Sequence, residues 1–152
     1  MYPFANEAPW FCATKIDLEN TGLKRRPLRV LVVDDSEVVR RVICRLLKAH
    51  SEVGVVCEAS DGMDAVHFSM KYKPDLILMD IAMPLMNGFD AMRLIKGALP
   101  ETQILVVSQH DISFFKKEAF AAGANGYVSK TEASTQLISE VRRITSRELK
   151  AS

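Results

Sequence analysis

The chain has 152 residues, which is enough for one domain with a sizeable core. Apolar residues make up 48% of it and charged residues 26%, and 20 basic residues nearly balance 19 acidic ones, for a formal net charge of +1. This composition is typical of a globular protein and excludes binding to DNA or to an anionic membrane by bulk charge alone. The three cysteines form no C-x-x-C pair, and no apolar run is long enough to cross a membrane, so we expect a reducing, cytoplasmic compartment and no membrane partner.

Residues 1–27 show no sustained hydrophobic period and contain Pro3 and Pro9. We expect them to form a flexible extension outside the fold. The alternative is that Trp10 and Phe11 dock on a partner or on a neighbouring subunit.

From Leu28 onward, short apolar runs alternate with amphipathic segments, which predicts five strand–helix units. The predicted strands cover residues 28–33, 53–60, 75–80, 103–108 and 126–130. The first predicted helix follows its N-cap Ser36, the next three cover residues 61–72, 87–98 and 112–123, and the last runs to about Arg147. We therefore expect one folded domain over residues 28–147, followed by a tail or the start of a linker at 148–152.

The first helix has a wide aliphatic stripe. Helical spacing predicts a core-facing set and an outward basic set. The core-facing set is Val38, Val39, Val42, Ile43 and Leu46, and the outward set is Arg40, Arg41, Arg45 and Lys48.

Alternating strands and helices predict a parallel sheet that is covered by helices on both faces. Five such units suit an α/β, doubly wound, flavodoxin-like fold with five helices and the strand order 2-1-3-4-5. In that order, the functional crevice lies at the carboxyl ends of the first and third strands. Asp34 and Asp80 follow these two strands directly.

Three acidic side chains are therefore predicted to meet in one crevice: Asp34, Asp35 and Asp80. Three neighbouring carboxylates are stable only if a cation neutralises them or if some of them bind protons. Oxygen ligands with open coordination positions favour Mg²⁺. Ser108 after the fourth strand and Lys130 after the fifth add a hydroxyl and an ammonium group, and Asp80 stands alone at the central strand. The set could accept a phosphoryl group on Asp80.

Each of these residues also has a simpler explanation. A single aspartate or serine after a strand is commonly a turn or a helix cap, and a single lysine is commonly a solvated surface group. His110 lies two residues beyond Ser108 and is either an ordinary loop residue or an influence on water access. The inference therefore depends on the whole set and not on its members.

The sequence resembles the receiver domain of two-component response regulators over about residues 28–147. The matching motifs are VVDDS at 32–36, MDIAMPLMNG at 79–88, VVSQH at 106–110 and GANGYVSK at 123–130. Within that family, SQHD and GYVSKTEAS look most like the subgroup that carries a C-terminal helix-turn-helix.

The resemblance implies a signalling switch of the phosphorelay type, not an enzyme in the usual sense. Asp80 would be phosphorylated by a sensor histidine kinase or a phosphotransfer protein, and the protein would catalyse its own phosphorylation and dephosphorylation. Mg²⁺ would be held by Asp35, Asp80 and the backbone carbonyl of Ala82, with Asp34 acting through a bound water. Ser108 and Lys130 would contact the phosphoryl group.

The resemblance also implies how the signal leaves the site. Tyr127 would be the aromatic switch residue, and the output face would comprise the fourth helix, the fifth strand and the fifth helix. We expect the output to be control of transcription, with DNA bound only through a C-terminal domain outside this chain. The alternative is a stand-alone receiver that acts through protein contact alone, and homodimer formation stays open.

One departure from the family concerns the residue after Lys130. Many receivers have proline there, often after a cis bond, whereas this chain has Thr131. Because a cis bond before a residue other than proline costs about 2.5–4 kcal/mol, we expect a trans bond.

Two other functions fit the sequence less well. A flavodoxin-like cofactor site conflicts with the sequence DDSE after the first strand, and a haloacid-dehalogenase-type phosphatase needs an acid where Ala82 stands.

Overall fold

The computed structural model describes residues 26–110 and 113–151, with side chains described for all of these except residue 55 and residues 146–151. The predictions for residues 1–25, including those for Trp10 and Phe11, lie outside the described residues. Strands and helices alternate along the chain as β1 (Leu28–Val33), α1 (Glu37–Lys48), β2 (Val53–Ala59), α2 (Gly62–Tyr72), β3 (Leu76–Met79), α3 (Gly88–Ala98), β4 (Gln103–Ser108), α4 (Ser113–Ala121), β5 (Gly126–Ser129) and α5 (Ala133–Ala151).

The five strands form one parallel sheet in the order β2-β1-β3-β4-β5, as predicted. The register explains the position of the crevice. Val33 pairs with Met79, so the residues that follow β1 and β3 are level with each other. Ser108 pairs with Ser129, which brings the end of β4 next to the start of the segment after β5.

The core has two layers, one on each face of the sheet. Leu47 of α1 and Leu137 of α5 pack with Val30 and Val32 on one face. Phe68 of α2, Met92 of α3 and Ala119 of α4 pack on the other. All five described helices thus pack apolar side chains against the sheet. Each Å² of apolar surface that is buried in this way stabilises the fold by about 25 cal/mol.

The predicted N-cap of α1 is confirmed, but its predicted core face is only partly buried. The Ser36 hydroxyl accepts from the Val39 amide. The buried residues of α1 are Ile43, Cys44 and Leu47, whereas Val38 is 71% and Val42 51% exposed. Prediction of these two valines as core residues was wrong, because an aliphatic stripe this wide can be turned to the sheet in more than one way.

Two helix ends also differ from expectation. Helix α5 continues to Ala151 instead of ending near Arg147, since residues 147–151 contain good helix formers and neither glycine nor proline. Helix α4 ends at Ala121, just before Gly123, whose φ of 112° lies in the region that favours glycine. In the described part of the chain, no helix is both long enough and apolar enough to cross a membrane.

Candidate functional site

Asp34 and Asp80 are fixed at the carboxyl edge of the sheet by their own backbones. The Asp34 amide donates to the Ala59 carbonyl at 3.1 Å, and the Asp80 amide donates to the Val33 carbonyl at 3.0 Å. These bonds continue the pairing of β1 with its two neighbours by one residue beyond the strands. Both acids are almost fully buried, with 1% exposure for Asp34 and 4% for Asp80.

The structure brings the three predicted acids together. Carboxylate oxygens of Asp34, Asp35 and Asp80 all lie within 4.8 Å of one another, and Asp35 is the exposed member. Two buried carboxylates and one at the surface give a cluster of oxygen ligands that is open on one side. This donor set fits a hard divalent cation that keeps some of its water.

Lys130 supplies the positive charge inside this cluster. It begins the short 3₁₀ turn after β5, and its Nζ lies 2.6 Å from Asp34 Oδ2 and 3.5 Å from Asp80 Oδ2. The side chain is only 13% exposed, so the ion pair to Asp34 is poorly screened by water. The peptide bond between Lys130 and Thr131 is trans, as predicted, and the described residues contain no cis bond.

Burial changes the acidity of Asp80. Loss of water around its carboxyl, with the nearby Asp34 charge as the second cause, raises its pKa from 3.8 to about 6, although Lys130 opposes this shift. In the absence of a metal ion, the site can therefore hold a proton on Asp80 in mildly acidic solution.

Asp34 also has the simpler role that a single acid after a strand usually has. Its Oδ1 accepts from the Ser36 amide at 2.9 Å, which orients the turn into α1, while its Oδ2 faces Lys130. Asp34 therefore serves both as a turn residue and as a member of the acid cluster, with one carboxylate oxygen for each role.

Sequence reasoning missed Arg40, which was predicted to face away from the core. Its guanidinium donates to the Asp34 carbonyl at 2.6 Å and pairs with Glu58 at 3.0 Å, and its side chain is only 15% exposed. The sequence places Arg40 one helical turn after Ser36, whose carbonyl accepts from the Arg40 amide. The spacing alone does not give the direction of its side chain, which depends on how α1 is rotated against the sheet. Arg40 thus anchors the backbone of the acid pair.

Ser108 and Tyr127 are connected through the backbone of His110. The Ser108 hydroxyl is fully buried and accepts from the His110 amide at 3.1 Å. The Tyr127 hydroxyl donates to the His110 carbonyl, and the Lys116 ammonium lies 5.8 Å from the centre of the tyrosine ring. His110 itself packs against Phe115, with ring centres 4.9 Å apart.

The loop between β3 and α3 holds Asp80 from the other side. The Gly88 amide donates to the Ile81 carbonyl at 2.8 Å, and a Cβ at Gly88 would lie 2.3 Å from the Asp80 carbonyl oxygen. Only glycine permits this close approach. Ala82 lies in the same loop and is exposed. Leu85, also exposed, has a φ of 68°, which is unusual for a residue other than glycine.

The family of the response regulator receiver domain matches residues 30–142 of this chain. The transcriptional regulatory protein DegU of Brevibacillus brevis is 34% identical over 123 residues, which are 81% of this chain and 52% of DegU. The chain thus spans about half the length of the curated relatives it matches.

Solved structures agree with this match. A LuxR-family response regulator from Aurantimonas sp. SI85-9A1 has a TM-score of 0.74 at 33% identity, covering 78% of this chain and 85% of that one. The receiver domain of the putative response regulator NarL from Mycobacterium tuberculosis has a TM-score of 0.68 at 32% identity, covering 76% and 96%. The predicted resemblance is confirmed: this chain belongs to the response regulator receiver family.

Proposed function

We propose that this protein is a phosphorylation-activated switch in which Asp80 accepts a phosphoryl group. The observation that carries this proposal is the position of Asp80, a buried carboxylate within 3.5 Å of Lys130 and beside Asp34 and Asp35. A nucleophilic oxygen, a fixed cation and neighbouring anionic ligands are what phosphoryl transfer requires, because that reaction depends on positioning and charge neutralisation.

In this proposal, an Asp80 carboxylate oxygen attacks the phosphorus of the donor. A new phosphorus–oxygen bond forms as the bond to the leaving group breaks, and the leaving group keeps the electron pair. Lys130 stays within reach of the transferred oxygens, since its ammonium already lies beside the Asp80 carboxylate. Ser108 can reorient its hydroxyl from the His110 amide towards a phosphoryl oxygen.

The residues fit a bound Mg²⁺, which would neutralise charge on the phosphoryl oxygens when present. Asp35, Asp80 and the Ala82 carbonyl would hold it, and Asp34 would contribute through a bound water. The support is the donor set itself, because the three carboxylates approach within 4.8 Å and Asp35 leaves the cluster open to solvent. Lys130 cannot neutralise all three carboxylates alone.

Tyr127 is proposed to carry the signal from the site to the surface formed by α4, β5 and α5. The chain of contacts that supports this runs from the Ser108 hydroxyl to the His110 amide, and from the His110 carbonyl to the Tyr127 hydroxyl. If Ser108 turns to a phosphoryl oxygen, the position of His110 and thus the bond to Tyr127 must readjust. The phosphoryl group shifts the equilibrium between the inactive and active arrangements of the site only as far as it binds one of them more tightly than the other.

We propose a histidine kinase or a phosphotransfer protein as the phosphoryl donor. Val38 and Val42, which stand exposed on the helix that begins beside the acid cluster, offer an apolar surface for such a donor. We propose control of transcription as the output, which the description of DegU as a transcriptional regulatory protein supports. DNA would be bound through a C-terminal domain outside this chain. A stand-alone receiver that acts through protein contact is the second candidate.

The experiment is to incubate the purified protein with acetyl phosphate and Mg²⁺ and to measure the intact mass. We expect a gain of one phosphoryl group, none in Asp80→Asn, and a full gain in the exposed control Asp90→Asn. Omission of Mg²⁺ or addition of a chelator should suppress the gain. An undiminished gain in Asp80→Asn would overturn the assignment of the acceptor.

A further inference from the structure

Two hydroxyl side chains flank Lys130 and bind each other. The hydroxyl groups of Ser129 and Thr131 form a hydrogen bond at 2.9 Å. Ser129 is the last residue of β5, and Thr131 lies in the short 3₁₀ turn that follows the strand. The bond therefore joins the two neighbours of the residue whose ammonium lies between Asp34 and Asp80.

Ser129 is the fixed partner of this pair. It is only 8% exposed, and its position is set by the sheet, where it pairs with Ser108 of β4. Thr131 is exposed at the surface. Because threonine has no ring that fixes its φ, as proline has, its backbone needs another restraint. The bond to the buried Ser129 hydroxyl supplies that restraint.

The bond is not an ordinary helix cap. Ser129 occupies the N-cap position of the 3₁₀ turn, where a serine hydroxyl usually accepts from a backbone amide two or three residues later. Within this described turn, the Ser129 hydroxyl forms no such bond. The backbone closes the turn by itself, since the Ala133 amide donates to the Lys130 carbonyl. The hydroxyl pair is therefore not required to close the turn, and another role has to explain it.

Lys130 needs its backbone held if its ammonium is to stay beside Asp80. The ammonium lies 3.5 Å from Asp80 but only 2.6 Å from Asp34, so a small rotation of the backbone lets it follow Asp34 and leave Asp80. A group that acts on a reacting oxygen has to be held within about 0.5 Å of its working position, usually by hydrogen bonds of the residues around it. Lysine has a long and flexible side chain, so this support has to begin at its backbone.

We propose that the hydrogen bond between the Ser129 and Thr131 hydroxyls positions Lys130 beside Asp80 for phosphoryl transfer. The inference rests on the proposed function, in which Asp80 accepts the phosphoryl group. Ser129 and Thr131 are positioning residues, because they act through Lys130 and not on the phosphoryl group. Loss of either hydroxyl frees the backbone of Lys130, and the ammonium then spends less time at the Asp80 oxygen.

The test measures the rate of mass gain on the full chain with acetyl phosphate and Mg²⁺. Thr131→Val keeps the shape of the side chain and removes the hydroxyl, and we expect the rate to fall by about fivefold, the factor that one typical hydrogen bond corresponds to. Ser129→Ala should have the same effect, and the double variant should be no slower than either, because the same bond is lost. Thr131→Ser retains a hydroxyl and should keep the wild-type rate. Thr135→Val is the control, since it removes an exposed hydroxyl that donates to the Glu132 carbonyl, and should also keep that rate.

A second background shows whether the hydroxyls act through Lys130. In Lys130→Met, adding Thr131→Val should change the remaining rate by less than about twofold, because the group that the bond positions is already gone. Urea denaturation in a chelator compares the same backgrounds without phosphorylation, and Thr131→Val should lower the midpoint more in the wild type than in Lys130→Met.

Three results would count against these inferences. A wild-type rate in Thr131→Val overturns the positioning role, and an equal slowing in both backgrounds shows that the bond holds the turn in general and not Lys130. If the wild type gains no phosphoryl group, the proposed role of Asp80 is wrong. The urea comparison then decides whether the hydroxyl bond positions Lys130, and equal shifts of the midpoint in both backgrounds would show that it does not.

Discussion

The Lys130 ammonium lies 2.6 Å from Asp34 and 3.5 Å from Asp80, so one cation serves two buried carboxylates. Removal of this charge in Lys130→Met leaves both acids uncompensated. We expect the free energy of unfolding at pH 7 without metal to fall by about 3 kcal/mol, the usual cost of breaking a buried pair from one side. Urea denaturation in a chelator measures it.

The matched control is Arg93→Met, which removes a cation from the exposed pair with Asp90 on α3. That change should cost less than about 1 kcal/mol because exposed pairs are screened by water. Mg²⁺ should recover part of the loss in Lys130→Met and none in Arg93→Met. Equal losses in the two variants would show that Lys130 does not compensate the acid cluster.

The raised pKa of Asp80 predicts a pH dependence of stability. Because the folded protein holds this proton more tightly, with a pKa of about 6 against 3.8 in the unfolded chain, protonation favours folding. The stabilisation is complete below pH 3.8 and is lost as the pH rises through about 6. In a chelator, the wild type should therefore lose up to about 3 kcal/mol between pH 4 and 8 relative to Asp80→Asn. A difference that is constant over this range would contradict the raised pKa.

The sequence was sufficient to predict the order of the sheet and the residues of the acid cluster. Strand ends follow from apolar runs, and a parallel sheet brings the carboxyl ends of its strands to one edge, so the meeting of Asp34 with Asp80 needed only the order of the strands. The direction of long side chains does not follow from period alone. Arg40 could reach the Asp34 carbonyl only because α1 packs at one particular rotation, and that rotation is a tertiary property.

Two glycines of α3 should respond in opposite ways to alanine. At Gly88, an added Cβ would lie 2.3 Å from the Asp80 carbonyl oxygen and 2.8 Å from the Cα of Ile81, and neither backbone atom can move cheaply. At Gly97, an added Cβ meets nothing within 4 Å. We expect Gly88→Ala to lower both stability and the rate of phosphorylation by acetyl phosphate, and Gly97→Ala to stabilise by about 0.5–1 kcal/mol. Thermal unfolding and intact-mass kinetics measure these two effects.

The result for Gly97 makes the comparison informative. Both substitutions add the same methyl group to the same helix, so a general effect of alanine on helix stability would raise the stability of both variants. If Gly88→Ala were as stable and as readily phosphorylated as the wild type, the loop after β3 would have to yield at this position. The close packing of Gly88 against Asp80 would then not be needed to hold the carboxylate in place.

The rotation of α1 can be tested by truncating its aliphatic side chains. Val38 is 71% exposed, whereas Leu47 is fully buried against the sheet. Val38→Ala should change the free energy of unfolding by less than about 0.5 kcal/mol, as surface substitutions usually do. Leu47→Ala should cost about 2–5 kcal/mol, because it removes buried contacts and leaves a cavity. Urea denaturation measures both losses and so shows which face of α1 is buried. If Val38→Ala costs as much as Leu47→Ala, the helix buries the face that its sequence period predicts. In that arrangement the contact of Arg40 with the Asp34 carbonyl cannot form.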